Sequence, residues 1–376
     1  MSGLECWCLS QLASLPREGR LIDQNKKETR DENIGIGSWQ LQECGVHLRN
    51  DFVEPQIYKS GDDAKGLHDL LVEEEPDRVV IEICPLAGWI SDLIRSLGIE
   101  LEVASTTHEA WRWKNVKRKN DRQDALKLAQ LSALGQLTLV HVPEQGVRQW
   151  RALINYRGRL VSRRTKIQNH IRALLLQQAE PMVSGRSAWT RAGLAQLEAL
   201  ARPLNEVERE ELWRGELGLE LEGLKALVEP LRQVEAKLDE LGVADQRVHL
   251  LRSIPGVGPR GAEALAAVID KAQRFKRGKE LGAYLGLVPK QIQSGESNRL
   301  GRITRQGNRL LRSLLVEISW SGLRYNSWMR SVYERVRRGS KARKKIAIVA
   351  VARRLLIRCW AMLRDGTTWR LANSGA

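Results

Sequence analysis

The chain has 376 residues and carries 61 Lys and Arg against 45 Asp and Glu, a formal net charge of +16. That length supports more than one core, and the charge points to a polyanionic partner, nucleic acid or an anionic membrane surface. The membrane is excluded on the longest apolar run, Ile346 to Leu363, because Arg353, Arg354 and Arg358 interrupt it and would be costly in hydrocarbon. The five cysteines (Cys6, Cys8, Cys44, Cys84, Cys359) have neither zinc-ligand nor disulfide spacing, and the N-terminus has no basic-then-apolar signal. A reducing cytoplasm, bacterial and in action at the nucleoid, is expected.

Residues 1–33 show no clean period and are expected to be atypical or disordered. From Ile34 short strand-like and helical runs alternate. Cys44 to Val53 has hairpin character, Ala64 to Val72 reads as a helix, and Arg78 to Ile83 is a buried strand by its β-branched run. Leu86 to Leu97 is a helix closed by Gly98, Ile99 to Ala104 a strand, Thr107 to Lys117 and Asp121 to Leu134 helices, and Leu137 to Val142 a last strand. This order predicts a three-layer α/β domain over residues 34–143.

Beyond Pro143 the pattern is helical. Gln145 to Gln178 is a long helix rich in Arg and Lys, including Arg148, Arg151, Arg157, Arg163, Arg164 and Lys166, with no acid between Gly146 and Ala179. Solvated faces mix their signs, so this one-sign helix favours a nucleic-acid contact. Leucines from Leu224 to Leu241 follow heptad-like steps, with Pro230 as an expected kink. They fit either packing within the protein or a protomer contact. Residues 144–248 form this long-helix, coiled-coil-like linker, and 249–376 a C-terminal domain. There, Pro255-Gly256-Val257-Gly258-Pro259 joins two helical patterns in the manner of a helix-hairpin-helix. Gly256 and Gly258 either present backbone N–H groups to phosphate or satisfy a plain helix–helix turn. Seven Lys or Arg between Arg335 and Lys345, Lys344 among them, read as a loop between helices that meets a nucleic-acid backbone.

Three acids carry the candidate chemistry. Glu82 ends the apolar strand Val79-Val80-Ile81, where an acid is expensive unless paired or metal-bound. Asp121 and Asp124 lie three apart, on one face of a helix, directly after the basic Lys117-Arg118-Lys119. A metal-holding acid pair beside a polyanion site suits phosphodiester chemistry, although two aspartates near a helix start also occur as solvated charge.

The order Ile36-Gly37, Val79-Val80-Ile81-Glu82, then Lys119-Asn120-Asp121-Arg122-Gln123-Asp124 resembles the DEDD insertion-sequence transposases. Ser253 to Pro259, Leu281 to Pro289, Ser294-Gly295 and Gly301 to Arg309 resemble the same family's C-terminal domain. The resemblance runs from about residue 34 to 366. It implies an RNase H-like (RuvC-like) α/β domain, then long helices and a helix-hairpin-helix-containing transposase domain. It further implies DNA recombination guided by an element-encoded bridge RNA, by a homodimer or tetramer. Glu82, Asp121 and Asp124 would hold Mg²⁺ or Mn²⁺, and Ser294 would be the nucleophile, with Arg299, Arg302, Arg305, Arg309 and Lys345 among the phosphate contacts. By the residues alone Ser294 is a polar turn residue with Ser297 as a rival. The resemblance departs at Gly37, where the family's first strand carries an aspartate. Two alternatives therefore stand beside the transposase: a non-cutting nucleic-acid-binding remnant, and a RuvC-like junction nuclease that hydrolyses.

Overall fold

The computed structural model describes residues 12–13, 45–47, 56–58, 64–105, 121–294 and 297–370. The chain divides into two compact units, Met1–Arg148 and Gln149–Ala376.

The first unit is built on one sheet. Its strands are β1 (Leu12–Ala13), β2 (Gly45–His47), β3 (Gln56–Tyr58), β4 (Arg78–Glu82) and β5 (Glu100–Ala104), in the order β3-β2-β1-β4-β5. β4 and β5 run parallel, with Val80 opposite Glu102 and Glu82 opposite Ala104. β1 pairs antiparallel with β4 and parallel with β2. Its helices are α1 (Ala64–Glu74), α2 (Ala87–Ser96) and α3 (Asp121–Ala133). Alternate residues of a strand point to opposite faces, and the two faces of β4 are covered differently. Val79 and Ile81 pack with Leu67 and Leu71 of α1 and Ile90 and Ile94 of α2. Val80 packs with Ala104 and with Leu128 and Ala129 of α3. The expected three layers are present.

Four expectations change here. The strand beside β4 comes from Leu12–Ala13, inside the stretch expected to be atypical, whereas the expected strand at 34–37 lies outside the described residues. The Leu137 to Val142 strand is reduced to a single antiparallel bridge, Ala104 to Leu139. Pro230 does not kink a continuous helix: the break falls at Leu227, between two separate helices, and Pro230 sits in the first turn of the second, where its missing N–H costs nothing. The basic run from Arg335 to Lys345 is largely helical, with only a short turn at Arg338 to Ser340. The expected helix at Thr107 to Lys117, with Lys117, Arg118 and Lys119, lies outside the described residues.

Helix α4 (Gln145–Gln177) runs on from the first unit into the second, which continues with α5 (Arg191–Leu200), α6 (Leu212–Ala226), α7 (Val228–Ala244), α8 (Gln246–Arg252), α9 (Pro259–Ile269) and α10 (Gly278–Tyr284). A two-stranded hairpin follows, β6 (Pro289–Ser294) and β7 (Ser297–Ile303), then α11 (Arg309–Tyr325), α12 (Ser327–Arg337) and α13 (Lys344–Asp365). Leu231, Val234 and Leu238 of α7 are buried in the same core as Leu265, Leu315 and Leu355, so the leucine seam packs within the chain. α9 is buried along nearly its whole length, and its Ala-rich sequence lets α8 and α11 approach closely.

Candidate nucleic-acid and metal site

Glu82 and Asp124 are both buried, Asp124 completely. The pleat directs Glu82 to the same sheet face as Val80, two residues back. That face is the one α3 covers through Leu128 and Ala129. Toward the other end of α3, Ser132 donates its hydroxyl to Glu102, which lies beside Val80 on β5. α3 thus packs over the face of the sheet that carries Glu82, with Asp124 one turn before Leu128. Asp121 is the first residue of α3. Glu102 is a third acid on this face that sequence reading passed over. It is engaged by Ser132 and by Arg78, whose Nη1 lies 4.0 Å away.

Glu82 and Asp124 offer oxygen donors only, which fits a hard divalent cation. Among the described residues no group of three or more His, Cys, Asp or Glu converges for a metal. Neither residue of β1 carries a carboxylate, and Gly37 lies outside the described residues.

In the second unit, Ser294 ends β6 and pairs with Ser297 at the start of β7. Gly295 and Glu296, between them, lie outside the described residues. β7 is exposed almost throughout, Arg299 and Arg302 included. A lone two-stranded hairpin is marginal in water, so its base carries the structure. Thr304 N–H donates to Val288 O at 2.9 Å and Arg305 N–H to Gly286 O at 3.1 Å. Gly307 has φ +69°, and a Cβ there would sit 2.1 Å from Tyr284 O; only glycine fits that turn. Arg305 also holds a positive φ, 61°.

Below the hairpin, Arg305, Arg309, Arg312 and Ser313 line a groove of about 650 Å³. Asn308 caps α11, its Oδ1 accepting from Leu311 N–H at 2.9 Å. Arg312, which sequence reading passed over, donates to the carbonyls of Leu285, Gln306 and Gly307. Desolvation, then the charges of Arg305 and Arg309, lower its pKa from the usual arginine value. Crowded cations beside a helix N-terminus favour an anion. The only hint in the sequence was the spacing Arg309-Leu310-Leu311-Arg312.

The other basic residues divide. On α4, Arg148 is bound to Asp92 and the Pro143 carbonyl, Arg151 donates to Ala267 O and Val268 O, and Arg157 is ion-paired with Glu235 at 2.6 Å. These three hold the fold. Arg163, Arg164 and Lys166 are exposed, as are Lys344 and Lys345 at the start of α13. In the turn between α8 and α9, Gly256 has φ +95° and a Cβ would lie 2.8 Å from Gly322 Cα. Close approach to α11 therefore accounts for Gly256, while Gly258 is the exposed N-cap of α9 with open space where a Cβ would be.

Two buried acids on the sheet of the first unit and an arginine-lined groove under the hairpin of the second are features suited to a protein of the phosphodiester-handling class. The model of the DEDD transposases of IS110 type matches residues 64–180, and that of the Transposase IS116/IS110/IS902 family matches 248–334. The chain belongs to this family of insertion-sequence transposases, which carries the RNase H-like fold in its first domain. A probable family 20 transposase of Pseudomonas aeruginosa is 29% identical over 81% of this chain and 89% of its own length. A putative transposase of Sinorhizobium fredii is 29% identical over 80% of this chain and 76% of its own. The pilin gene-inverting protein of Moraxella lacunata is 35% identical over 32% of this chain and 37% of its own. Among the described residues no helix is long and apolar enough to cross a membrane.

Proposed function

We propose that this chain cuts and rejoins DNA at insertion-sequence ends, with Ser294 as nucleophile, Glu82, Asp121 and Asp124 as ligands of Mg²⁺ or Mn²⁺, and a bridge RNA as guide. The observation that carries the reading is the arginine-lined groove at the base of the hairpin that bears Ser294. Arg305 and Arg309, at the base of the hairpin, are suited to hold one phosphate of the strand by charge-assisted hydrogen bonds, while the phosphodiester that is cut lies about 17 Å away at the tip, where Ser294 ends β6. Ser294 Oγ then bonds to phosphorus as the bond from phosphorus to a deoxyribose oxygen breaks. The serine loses its proton and the freed oxygen gains one. The phosphodiester count is conserved, so a second deoxyribose hydroxyl reverses the step and rejoins the strand. When bound, the cation would polarise a phosphoryl oxygen and stabilise the leaving oxygen. Glu82 and Asp124, held by β4 and α3, would fix it.

Exposed Arg163, Arg164 and Lys166 on α4 support a further polyanion contact, and the guide RNA is carried by the family resemblance. Joining two DNA ends calls for at least a dimer, in the bacterial cytoplasm at the nucleoid. The test is a covalent trap: labelled element-end DNA, guide RNA and Mg²⁺, resolved under denaturing conditions. The expected outcome is a protein–DNA adduct that Ser294→Ala abolishes and Ser297→Ala preserves. Joining that survives Ser294→Ala would overturn the assignment. Hydrolysis without an adduct would instead mark a junction nuclease.

A second reading has its own observation. Neither residue of β1, the antiparallel neighbour of β4, is acidic, and Gly37 stands where the family has aspartate. A non-cutting remnant would bind DNA but give no adduct until Gly37→Asp restored the ligand.

A further inference from the structure

Helix α11 leads directly away from the hairpin. Its residues Arg309, Ser313, Glu317, Trp320 and Arg324 are spaced four, four, three and four apart, so they share one face, and all are exposed. The groove holding Arg305, Arg309 and Arg312 occupies the N-terminal end of this face. A second groove of about 470 Å³, lined by Trp320, Ser321, Leu323 and Arg324, occupies the C-terminal end. Trp320 is 42% exposed and Tyr325, next to Arg324, 67%. The Trp320 ring is not loose: it packs in a T-shaped pair with buried Tyr333, at 5.9 Å between centroids and 60° between planes. An indole held in this way and still exposed to solvent is a ready stacking surface.

Charge separates the two ends. Glu317, the only acid of α11, lines the arginine groove on the side nearer Trp320 in sequence and repels phosphate there. Phosphate contact therefore falls on Arg305 and Arg309, away from Glu317, and the aromatic groove, which no acid lines, is suited to a base. We infer that α11 is a track for an unpaired DNA strand, which sets a phosphate on Arg305 and Arg309 and stacks a base on Trp320 beside Arg324. The inference rests on the reading that Ser294 acts on DNA, since the strand bound here continues from the hairpin. Single-strandedness follows from the chemistry, because bases of a duplex already stack on each other and offer no face to an indole. From Arg309 to Trp320 is eleven residues, about 16 Å along the helix. A stacked strand advances about 3.4 Å per nucleotide, so the stacked base lies about five nucleotides from the anchored phosphate.

The experiment measures binding of a fluorescein-labelled single-stranded oligodeoxynucleotide by the full chain, with an abasic site moved along the strand. Trp320→Ala should weaken binding about tenfold or more and Trp320→Phe should restore most of it. One abasic position should cost the wild type a similar factor and cost Trp320→Ala nothing. Arg309→Gln should weaken binding and lower the salt slope by about 1. Because Trp320→Ala also removes the contact with Tyr333, the abasic series and the Phe variant separate stacking from loss of packing. Indifference to both Trp320→Ala and abasic sites would overturn the track and leave strand joining through Ser294 standing. The same Trp320 dependence on RNA, with DNA bound no better by the wild type than by Trp320→Ala, would overturn DNA as the occupant. No binding of DNA by the wild type would overturn this inference and the proposed function together.

Discussion

Gly307 and Glu263 illustrate how much single positions carry. Gly307 sits at φ +69° with Tyr284 O where a Cβ would be, 2.1 Å away. Gly307→Ala adds backbone strain to a main-chain clash and should cost about 1–3 kcal/mol. A lowered melting temperature, with the hairpin lost first in hydrogen exchange, is the expected result; an unchanged melt would contradict it. Glu263 is buried on α9 and ion-paired with Arg260 at 2.8 Å, with Asp239 and Arg157 close by. Burial pushes its carboxyl up to about 7, against the lowering effect of Arg260. A carboxyl raised in the folded state keeps its proton there after the unfolded chain has released it. The folded state then binds more protons, so stability falls with rising pH. Melting temperature should therefore drop between about pH 4.5 and about pH 7, and Glu263→Gln should flatten that segment. An equally steep segment in the Gln variant would assign the slope elsewhere.

Among the elements, α7 shows where a sequence pattern was read well and where it was not. The leucine spacing predicted a packed helix, and Leu231, Val234 and Leu238 are buried. What they pack against depends on partners far along the chain, α9 and the core around α11 and α13, which no local period encodes. Leu238 is fully buried, so Leu238→Ala should cost about 2–5 kcal/mol. Because the seam faces inward, the oligomeric state measured by sedimentation should not change. A shift in assembly without loss of stability would return the seam to the surface. The same contrast runs through the candidate site. Glu82, Asp124 and the arginines after Gly301 stood out in the sequence because an acid in an apolar strand and cations at a turn break local expectation, and the two acids are buried while Arg305 and Arg309 line a groove. Arg148, Arg151 and Arg157 read alike with Arg163 in sequence, yet they are taken by Asp92, by the carbonyls of Ala267 and Val268, and by Glu235. Gly256 reads as a phosphate-binding glycine, but its close neighbour is Gly322, on a helix that begins fifty residues later. Trp320 carries no motif at all and becomes visible only when α11 has a buried face and an exposed one.

For the whole molecule, the decisive quantity is how the charge of +16 is spent. Cations tied into ion pairs or capping carbonyls release few counterions on binding, whereas free ones release about 0.9 ion for each phosphate they meet. On α4 the division falls within a single helix, with Arg148, Arg151 and Arg157 bound inside the protein and Arg163, Arg164 and Lys166 exposed. Replacing the exposed three by Gln should lower the slope of log affinity for a polyanion against log salt by about 3, and leave the melting temperature nearly unchanged. Replacing Arg151 or Arg157 should do the reverse. The slope should barely move, while stability falls as the carbonyls at the end of α9 or the Glu235 carboxylate lose their partner. The two measurements on one set of variants thus separate cations that build the helix core from cations that meet nucleic acid. A slope that fell equally for Arg157→Gln and Arg163→Gln would mean that the Glu235 pair opens on binding, and that α4 presents its whole basic length to the partner.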